Sequence, residues 1–405
     1  MTAASADRIV VIGGGLVGLA TALRISQLRR DVRITVLEKE VQVGQHQSTH
    51  NSGVLHAGLY YRPGSLKARL AVDGLREMLE FCRGRDVPYE QCGKLVVATS
   101  EEERVQLHAL LERGRQNCLN GLEILDAAEI RRREPNVAGV AALHVPEEGI
   151  VDFGCVATAM ASALKEGGVE IRQESEVVGL HREGNGWKVS LRDDSELDCD
   201  FVIGCAGLHA DRLARMAGLV VDLRIVPFRG EYYALRPDSR TTVQRLIYPV
   251  ADPRFPFLGV HFTPKISGGV EVGPNAVLAF AREGYRRRDV SVRDLAESLS
   301  YPGLWAFLRQ YPTAVLGELY QSLSKRTFAA AAARLVPGIT ERDLGSPRAG
   351  VRAQAISRNG ALVEDFAFAE DDRCIFVLNA PSPAATASLA IGGYVATLLQ
   401  RRFAA

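Results

Sequence analysis

Three glycines and one glutamate near the N-terminus have types and spacing that suit dinucleotide chemistry. Gly13, Gly15 and Gly18 follow the apolar run Ile9–Ile12, and Glu38 stands 20 residues beyond Gly18. The first glycine of such a set allows a tight turn, the second lets backbone approach a pyrophosphate, and the third lets helix and strand pack closely. The N–H groups at the helix start, around Leu16 and Val17, face the phosphate charge. Glu38, with Lys39 beside it, sits where an acid holds both ribose hydroxyls and disfavours a 2′-phosphate. A second group lies between Gln45 and Tyr61, a polar stretch too rich in His, Ser, Thr and Asn for an ordinary buried helix. Its Ser52, Gly53, Ala57 and Gly58 are small enough for backbone to lie against a flat ring. His46 and His50 have the i, i+4 spacing of a metal pair, but no carboxylate or cysteine completes a set, and no metal is expected.

These groups need elements to hold them. Arg8–Ile12 reads as a strand, the residues to Leu28 as a helix, and Arg33–Leu37 as the next strand. Helical patterns return at 66–83, 101–117 and 153–166, and a hairpin runs from Glu176 to Arg192. Asp200–Gly207 reads as a buried strand ending in small residues. From Leu223 to about Leu344 the text changes to short aromatic strands at 226–235, 246–250, 257–262 and 273–280, suited to an antiparallel sheet that covers a ligand. The strand Cys374–Leu378 leads into Asn379–Gly392, where Pro383 suits the first turn of a helix opened by small residues. A second helix N-terminus there favours negative charge on whatever it faces.

Bulk properties exclude several classes. The 405 residues carry 49 basic and 48 acidic side chains, a net charge of +1. With no basic tail, no nucleic-acid partner is expected. Seven scattered cysteines without zinc spacing suit a reducing compartment. A short polar start and no run of about 18 apolar residues point to a cytoplasmic protein. Arg282, Arg286, Arg287 and Arg288 near the aromatic run Tyr301–Tyr311 read two ways: contact with an anionic lipid surface, or buried core with a solvated flank.

Together these blocks resemble the glycine/D-amino-acid oxidase superfamily of FAD enzymes. Within it, His50–Tyr61, Pro63–Ala68, Val226–Tyr233, Gly273–Ala276, Gly350–Gln354 and Asn379–Thr386 resemble the L-2-hydroxyglutarate oxidase/dehydrogenase family. The resemblance implies an α/β FAD-binding (Rossmann-like) domain, discontinuous over 1–80, 150–222 and 345–405. It also implies an α+β substrate domain with a mostly antiparallel sheet over 81–149 and 223–344. FAD contacts are expected from Gly13, Gly15, Leu16, Val17, Gly18, Glu38 and Lys39, then from Ser48, Thr49, Asn51, Ser52 and Gly53. Further contacts are expected from Val177, Ala206, Gly207, Gly350, Pro383, Ala384, Ala385 and Thr386. The related glycerol-phosphate enzymes carry an arginine where this chain has Tyr60, which argues against a phosphorylated substrate.

Oxidising a 2-hydroxy acid requires hydride loss from Cα to flavin N5 and removal of the hydroxyl proton. A base titrating near neutrality suits the second task, and His56 and His261 are the candidates, His56 preferred. Arginine forks match carboxylates, so Arg352 is expected at the carboxylate beside the reacting carbon. Arg229 and Lys67 are weaker candidates, with Tyr60, Tyr61 and Tyr232 as hydroxyl donors. The expected reaction is L-2-hydroxyglutarate to 2-oxoglutarate, with a quinone or O2 as acceptor and a contact at the cytoplasmic face of the inner membrane. An amine or amino-acid oxidase, and a non-catalytic FAD-binding assembly protein, stand as alternatives.

Overall fold

The computed structural model describes residues 7–251 and 259–403. Its first three elements are β1 (Arg8–Ile12), α1 (Leu16–Leu28) and β2 (Arg33–Leu37). β1 pairs in parallel with β2 on one side and with the strand Phe201–Gly204 on the other. The sheet reaches six strands, with Glu170–Arg172 beyond β2 and Cys374–Asn379 then Ala367–Asp371 beyond Phe201–Gly204. All pairs are parallel except the last, an antiparallel edge.

Strand side chains alternate between faces, and β1 divides its apolar residues accordingly. Ile9 and Val11 enter a core with α1 residues such as Leu19 and Leu23 and with Ile391 and Val395 of the C-terminal helix. Val10 and Ile12 face the other way, into a core with Trp187, Val189 and Phe376. That second core is roofed by a three-stranded antiparallel sheet of Val177–Glu183, Gly186–Leu191 and Glu196–Cys199. Covering both faces is what a parallel sheet of unbroken apolar strands requires.

The larger sheet has nine strands and is antiparallel apart from the pairing of Lys94–Ala98 with Leu246–Pro249. Its longest ladder joins Leu223–Leu235 to Leu344–Ser357 from end to end. The expected division assigned 345–405 wholly to the dinucleotide layer, yet Leu344–Ser357 takes its hydrogen bonds from this other sheet. Two residues of the expected 257–262 strand lie outside the described residues, and the strand begins at His261.

The C-terminal helix also departs from expectation. It starts at Ser388, not at Pro383, and 382–387 form successive turns. Ala384 N–H donates to Pro381 O at 3.0 Å and Ala387 N–H to Pro383 O at 2.9 Å.

The helix Pro312–Leu323 is turned inside out. It buries Ala314, Glu318 and Ser322 along one row, and the Ala276 N–H donates to Glu318 Oε2 at 2.6 Å. Leu316, Leu319, Tyr320 and Leu323 instead face outward, 66%, 48%, 63% and 67% exposed. No helix of the described residues is long and apolar enough to cross a membrane.

Candidate active site

The glycine turn is built for close approach. Gly13 adopts φ +110°, and a Cβ there would lie 2.4 Å from the Cys205 carbonyl oxygen. A Cβ on Gly18 would lie 1.9 Å from Gly13 O, so Gly18 serves the packing of α1 on the turn and does not reach the cavity. Glu38 follows β2, buried, and its carboxylate is aimed by two backbone donors: Gly14 N–H at 2.8 Å and Glu40 N–H at 2.9 Å. Ser48 Oγ accepts the Leu16 N–H at 3.0 Å, which binds the polar stretch to the start of α1.

These groups open on one cavity of about 1560 Å³, larger than the ~300–1,000 Å³ of most small-ligand pockets. It runs past Gly13, Gly15, Leu16, Val17, Glu38 and Lys39 to Ser48, Asn51 and Ser52, with Val177, Ala206 and Gly207 alongside. Gly350 and the turn residues Pro383, Ala384, Ala385 and Thr386 complete the wall. The residues fit an extended dinucleotide: glycine backbone and an oriented carboxylate at one end, small side chains at the other, and volume left over for a substrate.

Besides Gly18, two residues expected at the cofactor lie elsewhere. Thr49 faces the helix Phe153–Glu166, its methyl 3.6 Å from where a Gly154 Cβ would stand. Gly53, at φ +74°, backs onto Val151 O, 2.6 Å from its own would-be Cβ. Both shape the loop without lining the cavity. Arg229 is also displaced. It is buried in the large sheet, donating to Glu231 Oε1 at 3.1 Å and Arg286 O at 3.4 Å, and is absent from the cavity wall. Those acceptors consume a guanidinium that the strand alternation turns away from Arg352's side of the ladder. Arg282 of the basic cluster is likewise interior, paired with Asp211.

The remaining substrate candidates converge. His56, Tyr60, Tyr61, Lys67, Tyr232, His261 and Arg352 all line the cavity. Arg352 stands by Tyr232, whose phenol burial raises while the Arg352 charge pulls the other way. Lys67 Nζ donates to Glu364 O at 3.0 Å and lies 4.6 Å from the centre of the Tyr61 ring. Burial lowers its pKa to about 8. His56 is fixed through its backbone, whose N–H donates to Thr386 Oγ1 at 3.2 Å, while that hydroxyl donates to Val54 O at 3.1 Å. Burial first, then Lys94, lowers the His56 pKa. His261 stacks on Tyr248 with centroids 3.9 Å apart, its Nδ1 3.0 Å from Gly259 O, and burial pushes it down to about 3.

Two participants were not anticipated from sequence. Lys94 and Glu148 form an ion pair, 0% and 1% exposed. Glu148 Oε2 is 3.4 Å and Lys94 Nζ 3.5 Å from His56 Nδ1. A lysine heading a strand that is otherwise Leu-Val-Val-Ala was the one available signal. His46, read against a metal, lies with Glu40 and Glu283, their ligand atoms within 4.8 Å of one another. Lys39 pairs with both carboxylates and already supplies positive charge there.

The parallel sheet with its glycine turn, the oriented acid and the cavity define an FAD-binding flavoenzyme. Residues 8–398 match the model of the FAD dependent oxidoreductase family, and the chain belongs to that family. It is 46% identical over 397 residues to the L-2-hydroxyglutarate dehydrogenase of Indibacter alkaliphilus, covering 98% of this chain and 99% of that one. Identity is 45% to the Escherichia coli enzyme of the same name, covering 96% and 92%. The mitochondrial L-2-hydroxyglutarate dehydrogenase of Homo sapiens is 42% identical, covering 98% and 89%. Among solved structures, an L-alpha-glycerophosphate oxidase from Mycoplasma pneumoniae with FAD bound superposes with a TM-score of 0.79 at 24% identity, covering 97% and 94%. The glycine oxidase of Geobacillus kaustophilus gives 0.72 at 20%, covering 98% and 95%. The chain is thus an FAD-dependent oxidoreductase.

Proposed function

We propose that this enzyme oxidises L-2-hydroxyglutarate to 2-oxoglutarate and passes the electrons to a membrane quinone or to O2. The observation that carries the reading is one cavity whose wall, beyond the FAD-type turn, includes His56, Arg352 and Lys67. FAD, held by the glycine turn, Glu38 and the turn 383–386, would supply the acceptor for the hydride of the α-carbon. The rest falls to the protein. Arg352 holds the carboxylate beside that carbon, its planar fork matching two oxygens at once, and Tyr232 adds a hydroxyl. Lys67, with Tyr60 and Tyr61, meets the distal carboxylate. His56 takes the hydroxyl proton, because it stands beside the Lys94–Glu148 pair, whereas His261 is stacked on Tyr248 with its Nδ1 3.0 Å from Gly259 O.

Contact with a membrane is supported by the inverted helix Pro312–Leu323. It follows directly on Gln310 and Tyr311, which line the cavity. Between 299 and 334 the only acid is the buried Glu318, against Arg309, Lys325, Arg326 and Arg334. An outward apolar row with a basic flank suits an anionic bilayer surface.

Anaerobic titration of the holoenzyme tests the substrate. L-2-hydroxyglutarate is expected to bleach the visible flavin band, with the D-enantiomer and a panel of amino acids inert. Bleaching by an amino acid instead would transfer the enzyme to the amine oxidases.

A further inference from the structure

We propose that Lys94 and Glu148 are positioning residues for His56: the buried pair holds it as the neutral Nδ1–H tautomer and leaves Nε2 as the proton acceptor. This rests on the reading of His56 as the base and adds the machinery that makes it one.

Lys94 opens the strand Lys94–Ala98, all five residues of which are buried, and Glu148 immediately precedes the buried strand Gly149–Val151. Neither residue lines the cavity, whereas His56 does. The imidazole therefore stands between the pair and the space for substrate, with Nδ1 turned to the pair. Lys94 Nζ lies 4.3 Å from the centre of the Tyr248 ring and 5.3 Å from that of Tyr60, so aromatic faces shield the charges on that side. A buried ion pair contributes little net stability beside a well-packed apolar substitute, which makes its adjacency to a cavity histidine the more informative fact.

The two charges do opposite things to the ring. Glu148 Oε2, a buried oxygen ion-paired with Lys94 but with no hydrogen-bond partner of its own, stands 3.4 Å from Nδ1. It draws the ring proton to that nitrogen, as a carboxylate does for a general-base histidine. The 3.5 Å approach of Lys94 Nζ to Nδ1 is then a contact between two donors. Alone, that carboxylate would also draw a second proton onto the imidazole and leave it spent. Lys94, whose own pKa burial lowers and the Glu148 charge supports, pairs with that carboxylate and cancels the excess negative charge, so the resting ring stays neutral. The other groups coupled to His56 are Lys67, which opposes protonation, and His261, which burial keeps neutral, while Tyr60, Tyr61 and Tyr248 lie around Glu148 with their phenols raised by burial. Burial raises the Glu148 carboxyl, but Lys94 and then His56 override it and hold it at about 2, ionised throughout the working range. When the substrate hydroxyl loses its proton to Nε2, the Nδ1 proton stays in place and the new imidazolium lies beside Glu148.

The test is the pH profile of kcat/KM for L-2-hydroxyglutarate, measured on holoenzyme of four forms: wild type, Lys94→Met, Glu148→Gln and the double variant. Lys94→Met is expected to move the acid limb up by about one pH unit or more, since an unpaired carboxylate then faces the ring. Glu148→Gln is expected to move it down and to cut kcat about 10- to 100-fold. The double variant, which buries no charge, should return the limb close to its wild-type position. Limbs that stay fixed in the single variants while kcat falls would reduce the pair to a packing role and overturn the proposal. Should Lys94→Met fail to retain FAD, the double variant against Glu148→Gln makes the same comparison, with a return toward wild type expected and coincident limbs refuting it. His56→Asn separates the two levels. If it keeps the acid limb and kcat, the base assignment has failed; if it abolishes the limb while the pair variants leave it unmoved, only the positioning role has failed.

Discussion

Replacing Arg352 by methionine removes a guanidinium fork while keeping an unbranched side chain of similar reach. Arg352 lies on the Leu344–Ser357 strand opposite Phe228, lines the cavity and stands by the Tyr232 hydroxyl. Hydrogen bonds to a charged partner contribute roughly 1.5–3 kcal/mol. At about 1.4 kcal/mol per tenfold, KM for L-2-hydroxyglutarate should rise roughly 10- to 150-fold. If the contact is made equally in ground and transition states, kcat changes little. The informative assay compares two substrates, L-2-hydroxyglutarate and L-2-hydroxybutyrate, which lacks the distal carboxylate. Arg352→Met should raise KM for both by a similar factor, whereas Lys67→Met should raise it for the dicarboxylate alone. An Arg352→Met enzyme whose KM stays within about twofold of wild type for both acids, with its flavin spectrum intact, would refute the assignment. So would a penalty confined to the dicarboxylate, which would place Arg352 at the distal end.

Other outcomes follow from the same geometry. Lys67, lowered to about 8 by burial, is charged below that pH, so KM for the dicarboxylate should climb as pH passes through about 8. A flat KM up to about pH 9.5 would remove Lys67 from the site. Gly18→Ala places a methyl 1.9 Å from Gly13 O and should cost about 1–3 kcal/mol or more through overpacking. Its measured signs are a lower Tm and loss of the yellow colour; an equally stable yellow variant would contradict the close-packing argument. Leu316→Glu with Leu319→Glu should abolish cosedimentation with phosphatidylglycerol vesicles while leaving turnover with a soluble dye unchanged. Undiminished cosedimentation would clear that helix of any membrane role, and a shift in solution mass would reveal a second copy of the chain as its partner.

The cofactor layer was legible because its grammar is local. Strand, glycine turn, helix and acid lie within residues 8–38, and each step constrains the next. The substrate side was legible in part. Arg352, Lys67 and the tyrosines, singled out through blocks of residue identity, lie on the cavity wall, but Arg229 does not, because a strand pattern does not say which sheet partner consumes a guanidinium. Lys94 and Glu148 escaped because their meeting depends on the pairing of Lys94–Ala98 with Ala141–Val145, across a separation that no periodicity reports. Pro383 misled in another way: it suited a first helical turn by itself, while 382–387 close as successive hydrogen-bonded turns and the helix begins only at Ser388.

The ladder between Leu223–Leu235 and Leu344–Ser357 has a consequence for how this active site can change over time. Gly350 is pressed so close to the loop that a Cβ would lie 2.0 Å from His50 O, and Arg352 stands two residues along the same strand. Because faces alternate, sliding that strand by one position would present Val351 or Ala353 to the acid and drive a side chain into the His50 loop. New substrates are therefore open to this scaffold through exchange of single side chains around a locked rail, and closed to it through insertion or deletion within the rail.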